Sequence, residues 1–239
     1  MKTSGKKGAT EASSEQSAQQ GKPKQESERT ENIVAIAVFI LLIIIGAAIP
    51  TRGFGLLGKT IDYGTRIRVP LENSDPYIGS DSARIVLVVF SDYSCPNCAV
   101  GEETVKALMK MYPDDIIYFF KNYPLRSIHP NAYNAALAAL CAKEQGKFWE
   151  YHDILYQNQK AQSVEYLKAY AVELGLDPEQ FNSCLESQKY KSQVDNDIKV
   201  GSSVGVTGTP AFFINGIYVL GARPMDEFVK VIESELEGK

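Results

Sequence analysis

The chain has few of the side chains that most often bind metals. Its 239 residues include two histidines, His129 and His152, and four cysteines, of which only Cys95 and Cys98 are close in sequence. A structural zinc site needs four ligands, usually supplied as two close pairs, so we expect no metal site. A net charge of -4 at pH 7 and the lack of a basic, aromatic-rich stretch give no sign of nucleic-acid binding.

Only one long hydrophobic run is present. Residues 1–31 are polar, have no aromatic side chain and cannot bury a core, so we expect a disordered tail. Residues 33–49 then carry no charge over a length just sufficient to span a bilayer. A cleavable signal peptide is the alternative, with Gly46-Ala47-Ala48 as a cleavage site. The glutamate-rich tail differs from a short basic leader, so we predict a transmembrane anchor over 32–50 that contacts the lipid bilayer.

Glycine and proline are scattered through polar residues 51–80, which predicts a linker. Within it, Arg66–Val69 could form a short edge strand. The folded domain is predicted to cover residues 81–239.

The order of elements in this domain predicts an α/β fold. Apolar runs at Ile85–Phe90 and Ile116–Phe120 flank a helical pattern, which implies two parallel strands joined by a helix. The sequence pattern predicts helices over residues 127–204, with approximate bounds. Asn215-Gly216 between two apolar runs predicts a hairpin, and a helical pattern ends the chain. This order predicts a thioredoxin-type sheet with a helical insertion, preceded by a single N-terminal transmembrane helix.

Cys95-Pro96-Asn97-Cys98 lies at the predicted junction between the first strand and the first helix. Two cysteines at this spacing can form a disulfide and be reduced again. Free N–H groups in the first helical turn and the helix dipole favour a thiolate, which makes Cys95 the attacking group. A structural or zinc-binding pair is the weaker interpretation, since no second close pair exists.

Five motifs in order resemble the DsbA-like branch of the thioredoxin superfamily. They are Asp75–Ala83, Val89–Cys98, Asn122–Leu125, Gln145–Trp149 with His152, and Gly208–Gly216. The resemblance implies that Cys95 is the exposed nucleophile and Cys98 the resolving cysteine, with Pro96 and Asn97 between them. It also implies a cis Thr209-Pro210 bond that packs beside the disulfide and leaves a backbone edge free for substrate. It implies no organic cofactor.

Two further features bear on this resemblance. Some family members have a structural disulfide where Cys141 and Cys184 fall; the alternative is two free buried thiols. Relatives often carry a buried acid six residues before the first cysteine, where this chain has Val89. Proton transfer at Cys98 then needs another group or water, and Asp92 and Lys121 are the candidate helpers.

The sequence therefore predicts a membrane-anchored thiol-disulfide oxidoreductase. Its expected substrates are reduced or misoxidised extracytoplasmic proteins, because stable disulfides belong outside the reducing cytosol. The resemblance implies reoxidation by a quinone-linked membrane oxidase of the DsbB or VKOR type. A reductase or isomerase with the same site is an alternative, since small shifts in thiolate stability set the direction. A non-catalytic thioredoxin-fold binding module that holds proteins at the membrane is another.

Overall fold

The protein is represented by a computed structural model that describes residues 66–238. The predicted polar tail and transmembrane anchor lie outside these residues, as does the first half of the predicted linker, residues 51–65. Within residues 66–238, none of the helices combines the length and the apolar composition that crossing a bilayer requires.

In this part of the chain, five strands form one sheet in the order β1-β3-β2-β4-β5. The strands are β1 Tyr77–Gly79, β2 Ile85–Ser91, β3 Ile116–Asn122, β4 Ala211–Ile214 and β5 Ile217–Leu220. Strands β2 and β3 are parallel, and helix α1, Pro96–Met111, connects them. The other neighbouring pairs are antiparallel. The predicted strand-helix-strand unit and C-terminal hairpin are therefore both present.

The folded domain begins earlier than residue 81. Strand β1 lies in the predicted linker and pairs antiparallel with β3. Asp75, just before it, is buried and accepts a hydrogen bond from Lys121 Nζ at 2.6 Å. A strand of three residues is too short to show a period-two pattern, so its sequence gave no strand signal. Arg66–Val69 forms no strand, although the Ile67 N–H donates to the Gly216 carbonyl at 2.8 Å.

A helical insertion separates β3 from β4, as predicted. Its helices are α2 Ala132–Lys143, α3 Phe148–Gln157, α4 Val164–Glu173, α5 Pro178–Glu186 and α6 Lys191–Ser203. Helix α2 is alanine-rich and buried on nearly every side, because its small side chains let neighbouring helices pack closely. Helix α5 begins with a capped turn, in which the Asp177 carboxylate accepts from the Gln180 N–H at 2.9 Å.

A disulfide bond joins Cys141 of α2 to Cys184 of α5, and both residues are buried. The cysteines are 43 residues apart. Closing a loop of this length lowers the entropy of the unfolded chain, which corresponds to about 4 kcal/mol of stabilisation. The bond thus links two helices of the insertion.

Side chains of β2 alternate between two apolar cores on opposite faces of the sheet. Leu87 and Val89 belong to the larger core, which includes residues of α1, the insertion and the final helix, α7 Met225–Leu236. Val88 and Phe90 belong to the smaller one. By the same alternation Ser91, the last residue of β2, follows Val89 on the face of the larger core.

Candidate active site

The cysteine pair occupies the N-terminus of α1. Cys95 is the N-cap residue, Pro96 opens the helix and Cys98 lies in its first turn. Proline is favourable there because its missing N–H would have no helical partner. The Cys98 N–H donates to the Cys95 carbonyl at 3.0 Å. The positive end of the helix dipole therefore lies at Cys95.

The surroundings of Cys95 favour its thiolate form. A hydrogen bond from the Cys98 side chain is the largest of several effects that lower the pKa of Cys95 to about 6. Burial acts in the opposite direction, and the backbone N–H groups of Cys98 and Asn97 add to the lowering. At neutral pH the Cys95 thiolate therefore predominates, and the thiolate is the nucleophilic form of cysteine.

The surroundings of Cys98 favour its protonated thiol form. Burial is the main cause that raises its pKa, and the neighbouring Cys95 raises the pKa further. The side chains of Ser91 and Thr209 lower the pKa of Cys98 and so partly offset this rise. Cys95 was expected to be exposed, yet it keeps only 7% of its surface, against 1% for Cys98. Cys95 is still the more accessible sulfur of the two.

The Thr209-Pro210 segment reaches the cysteine pair from the far end of the chain. The bond between these residues is cis, and the Thr209 carbonyl oxygen lies 3.6 Å from Cys95 Sγ. Gly101, in α1, allows the close approach: an added Cβ would lie 3.0 Å from Pro210 Cγ and Phe212 Cζ. The structure thus brings Cys95, Cys98 and Thr209-Pro210 together.

The two candidate helpers have other partners. The Asp92 carboxylate accepts from the Ser94 and Leu125 N–H groups at 2.7 Å each, and it pairs with His129 Nδ1 at 2.8 Å. These bonds fix the loop that leads into the cysteine pair. Within residues 66–238, we find no contact between the Asp92 carboxylate and either thiol.

Lys121 is fully buried between two carboxylates. Its Nζ lies 2.6 Å from Asp75 Oδ1 and 3.1 Å from Asp197 Oδ1. These ion pairs join β3 to the segment before β1 and to helix α6. Lys121 is therefore part of the structural framework, and the described residues show no contact between its ammonium group and the thiols.

A buried carboxylate that was not predicted from the sequence, that of Glu102, lies on the same helix as the cysteines. Its Oε1 lies 3.1 Å from His152 Nε2, and its Oε2 accepts from the Tyr118 hydroxyl at 3.1 Å. Burial would raise the pKa of Glu102, but His152 and Tyr118 outweigh this effect and hold the pKa below its usual value. Glu102 follows Cys98 by four residues, a spacing that places both on one helix face.

Two glutamines after α3 were also missed. Gln159 Nε2 donates to the carbonyl oxygens of Cys95 at 2.8 Å and of Tyr93 at 3.0 Å. Gln162 donates to the same Tyr93 carbonyl at 3.0 Å and accepts from the Ser94 hydroxyl at 2.6 Å. The helical insertion thus fixes the backbone that carries Cys95. No local pattern links these residues, because they are more than 60 positions apart in the chain.

Comparison with known proteins finds sequence relatives among Na(+)/H(+) antiporters. One is Na(+)/H(+) antiporter NhaA 3 from Salinispora tropica, 34% identical over 151 residues, which are 63% of this chain and 23% of the relative. Another is Na(+)/H(+) antiporter NhaA 1 from Mycolicibacterium vanbaalenii, 29% identical over 205 residues, 84% of this chain and 33% of the relative. The chain thus spans about a quarter to a third of these curated relatives.

Solved structures show the same fold. BdbD from Bacillus subtilis in its oxidised form matches 72% of this chain and 98% of its own, at 23% identity and a TM-score of 0.64. The thiol-disulfide exchange protein α-DsbA2 from Wolbachia pipientis matches 68% of this chain and 88% of its own, at 23% identity and a TM-score of 0.59.

A family model described as Thioredoxin matches residues 72–234, which is more than half of the chain. The predicted thioredoxin-like α/β fold with a helical insertion is confirmed. The chain belongs to the thioredoxin family.

Proposed function

We propose that the protein is a thiol-disulfide oxidoreductase that works through Cys95 and Cys98. The observation that carries this proposal is the contrast between the two sulfur atoms, a thiolate-forming Cys95 and a buried thiol at Cys98. Both lie beside the cis Thr209-Pro210 bond. The name thiol-disulfide exchange protein, given to the similar α-DsbA2, supports the same activity.

The reaction that fits this geometry begins with an oxidised Cys95–Cys98 pair. A substrate thiolate attacks Cys95 Sγ, a substrate–Cys95 bond forms, and the Cys95–Cys98 bond breaks with its electron pair on Cys98. A second substrate thiolate then attacks the substrate sulfur and displaces the Cys95 thiolate. The substrate has lost two electrons and gained a disulfide, and the protein holds two reduced cysteines.

The low pKa of Cys95 sets the proposed direction. A stabilised thiolate is a good leaving group, and it also stabilises the reduced protein relative to the oxidised one. The oxidised protein is therefore expected to donate its disulfide. We infer that its substrates are reduced or misoxidised proteins, whose extended backbone would pair beside Thr209-Pro210.

We further propose that residues 33–49 anchor the protein in the cell membrane with the catalytic domain on the extracytoplasmic side. The buried Cys141–Cys184 disulfide supports this location, because such bonds persist in oxidising compartments. A quinone-linked membrane oxidase of the DsbB or VKOR type would reoxidise Cys95 and Cys98. After intact cells are treated with a membrane-impermeant reductant, a membrane-impermeant maleimide should modify Cys95; labelling only after lysis would contradict this orientation.

Exchange with a reduced two-cysteine peptide tests the activity. Oxidised wild-type protein should convert the peptide to its disulfide form, while Cys95→Ser and Cys98→Ser variants should not. A Cys98→Ala variant should accumulate a mixed disulfide at Cys95 when mixed with an oxidised peptide. Full function in cells of a variant that lacks both cysteines would instead support the non-catalytic binding module.

A further inference from the structure

The buried thiol of Cys98 has a polar neighbour that was not predicted from the sequence. Residue 89, where relatives often carry an acid, is valine and packs in the larger core. Ser91 is the next position of β2 on the same face and lies closer to the cysteine pair along the strand. It is buried, and its side chain lowers the pKa of Cys98.

Ser91 has a second hydroxyl partner. The Tyr156 hydroxyl of α3 lies 2.6 Å from Ser91 Oγ, a short distance even for a bond between two hydroxyl groups. Tyr156 is buried, and burial is the main cause that raises its pKa well above the usual value. Tyr156 therefore keeps its proton and is available as a donor at physiological pH.

The Tyr156 hydroxyl, the Ser91 hydroxyl and Cys98 Sγ can form a chain of hydrogen bonds in which each hydroxyl donates to the next group. If Tyr156 donates to Ser91 Oγ, the single proton of the Ser91 hydroxyl is free to donate to Cys98 Sγ. A donor aimed at sulfur stabilises the thiolate, and a donor that is itself polarised by a second hydroxyl does so more strongly. Because both hydroxyls are buried, water does not weaken this effect.

We propose that Ser91 and Tyr156 are positioning residues that together stabilise the negative charge on Cys98 Sγ when the active-site disulfide opens. This inference rests on the proposed thiol-disulfide exchange. Val89 cannot provide this stabilisation, and Asp92 and Lys121 are engaged elsewhere. The hydroxyl pair thus stabilises the Cys98 thiolate without transferring a proton.

The step concerned is the first one of exchange. The substrate thiolate forms a bond to Cys95 Sγ, the Cys95–Cys98 bond breaks, and its electron pair moves to Cys98 Sγ. The Ser91 hydroxyl donates to this new thiolate without losing its proton. Solvent then protonates Cys98. The reverse reaction, attack by Cys98 on the mixed disulfide, passes through the same charge distribution and gains the same stabilisation.

Rates of exchange in both directions test the proposal. The full-length chain is prepared as wild type, Ser91→Ala, Tyr156→Phe, the double variant and Ser91→Thr. Tyr151→Phe is the matched control: it removes a buried hydroxyl from the same helix, one that donates to the Leu167 carbonyl at 2.7 Å. Oxidised protein is mixed with dithiothreitol, and reduced protein is mixed with oxidised glutathione. Samples are alkylated at intervals, and mass spectrometry measures the fractions of oxidised and reduced protein.

Ser91→Ala should slow both directions by about tenfold, the value of one hydrogen bond to a charged group. Tyr156→Phe should slow them severalfold, and the double variant should be no slower than Ser91→Ala. Ser91→Thr, which keeps the hydroxyl, should restore most of the rate, and Tyr151→Phe should match the wild type. Since forward and reverse rates fall together, the equilibrium between oxidised and reduced protein should stay near that of the wild type.

Two outcomes would overturn the inference. Unchanged rates in Ser91→Ala would show that the hydroxyl does not act on Cys98. Losses that multiply in the double variant, or a Ser91→Thr variant as slow as Ser91→Ala, would indicate packing effects in place of a hydroxyl chain. Failure of the proposed function is a separate result, because the wild-type protein itself would then show no exchange.

Discussion

At the scale of single residues, the central feature is the division of roles between two cysteines three positions apart. Cys95 receives hydrogen bonds at the start of α1, whereas Cys98 is buried one turn further on. The spacing and the helix junction allowed this division to be predicted from the sequence. The partners of Cys98 could not be predicted, because Ser91 and Tyr156 are 65 residues apart and meet only in the folded protein.

The pKa of Cys95 gives a prediction at this scale. Alkylation of reduced protein by iodoacetamide should follow a titration with a midpoint at about pH 6. Cys98→Ala should raise that midpoint, because the Cys98 side chain is the largest cause of the lowered pKa. Asn97→Ala is the matched control, since Asn97 contributes through its backbone N–H, and its midpoint should stay near wild type. An unchanged midpoint in Cys98→Ala would contradict the assignment.

At the scale of elements, a buried ion cluster joins the segment before β1, strand β3 and helix α6. Asp197 of α6 lies 3.1 Å from Lys121 Nζ and accepts from the Asn122 N–H at 3.0 Å. Burial is the main cause that raises the pKa of Asp197 to about 6, although Lys121 opposes it. Asp75 was predicted to lie in a linker and Lys121 near the site, because no local sequence pattern indicates a contact between distant elements.

This cluster predicts how stability depends on pH. The folded protein binds a proton at Asp197 more tightly than the unfolded chain, whose pKa is near 3.8. The corresponding stability is present below pH 3.8 and is lost as pH rises through about 6. A shift of about two units corresponds to about 3 kcal/mol. The free energy of unfolding of Asp197→Asn, relative to that of wild type, should therefore rise by about 3 kcal/mol between pH 4 and pH 7.

Urea unfolding at several pH values measures this difference. Trp149 fluorescence follows the transition, and the free energy of unfolding is compared between wild type and Asp197→Asn at each pH. Glu179→Gln, which removes an exposed carboxylate at the start of α5, is the control and should show no such trend. A difference between Asp197→Asn and wild type that stays constant with pH would mean that Asp197 titrates normally.

At the scale of the whole molecule, the helical insertion contributes both stability and parts of the site. Its α2–α5 disulfide lies in the larger core, and its glutamines and Tyr156 contact the residues around the cysteine pair. The order of elements was predictable because β2, α1, β3 and the hairpin each have a clear periodicity or turn. Strand β1 was not, since three residues carry too little pattern.

The two disulfide-forming pairs are expected to act independently. Replacing Cys141 and Cys184 with alanine should lower the free energy of unfolding by about 4 kcal/mol, because the unfolded chain regains the entropy of an open loop. Exchange at Cys95 and Cys98 should remain under conditions where the variant is folded. A loss below about 1 kcal/mol, or loss of exchange in the folded variant, would contradict this separation.

The equilibrium reduction potential of Cys95–Cys98 tests the central claim most directly. The full-length chain is equilibrated with glutathione buffers of graded ratio, alkylated, and digested, so that mass spectrometry distinguishes this pair from Cys141–Cys184. We predict reversible two-electron exchange at a potential above about -270 mV, the value of thioredoxin, because the Cys95 thiolate stabilises the reduced form. A value at or below about -270 mV would contradict disulfide donation and indicate a reductase, and the absence of any reversible exchange would contradict the enzyme itself.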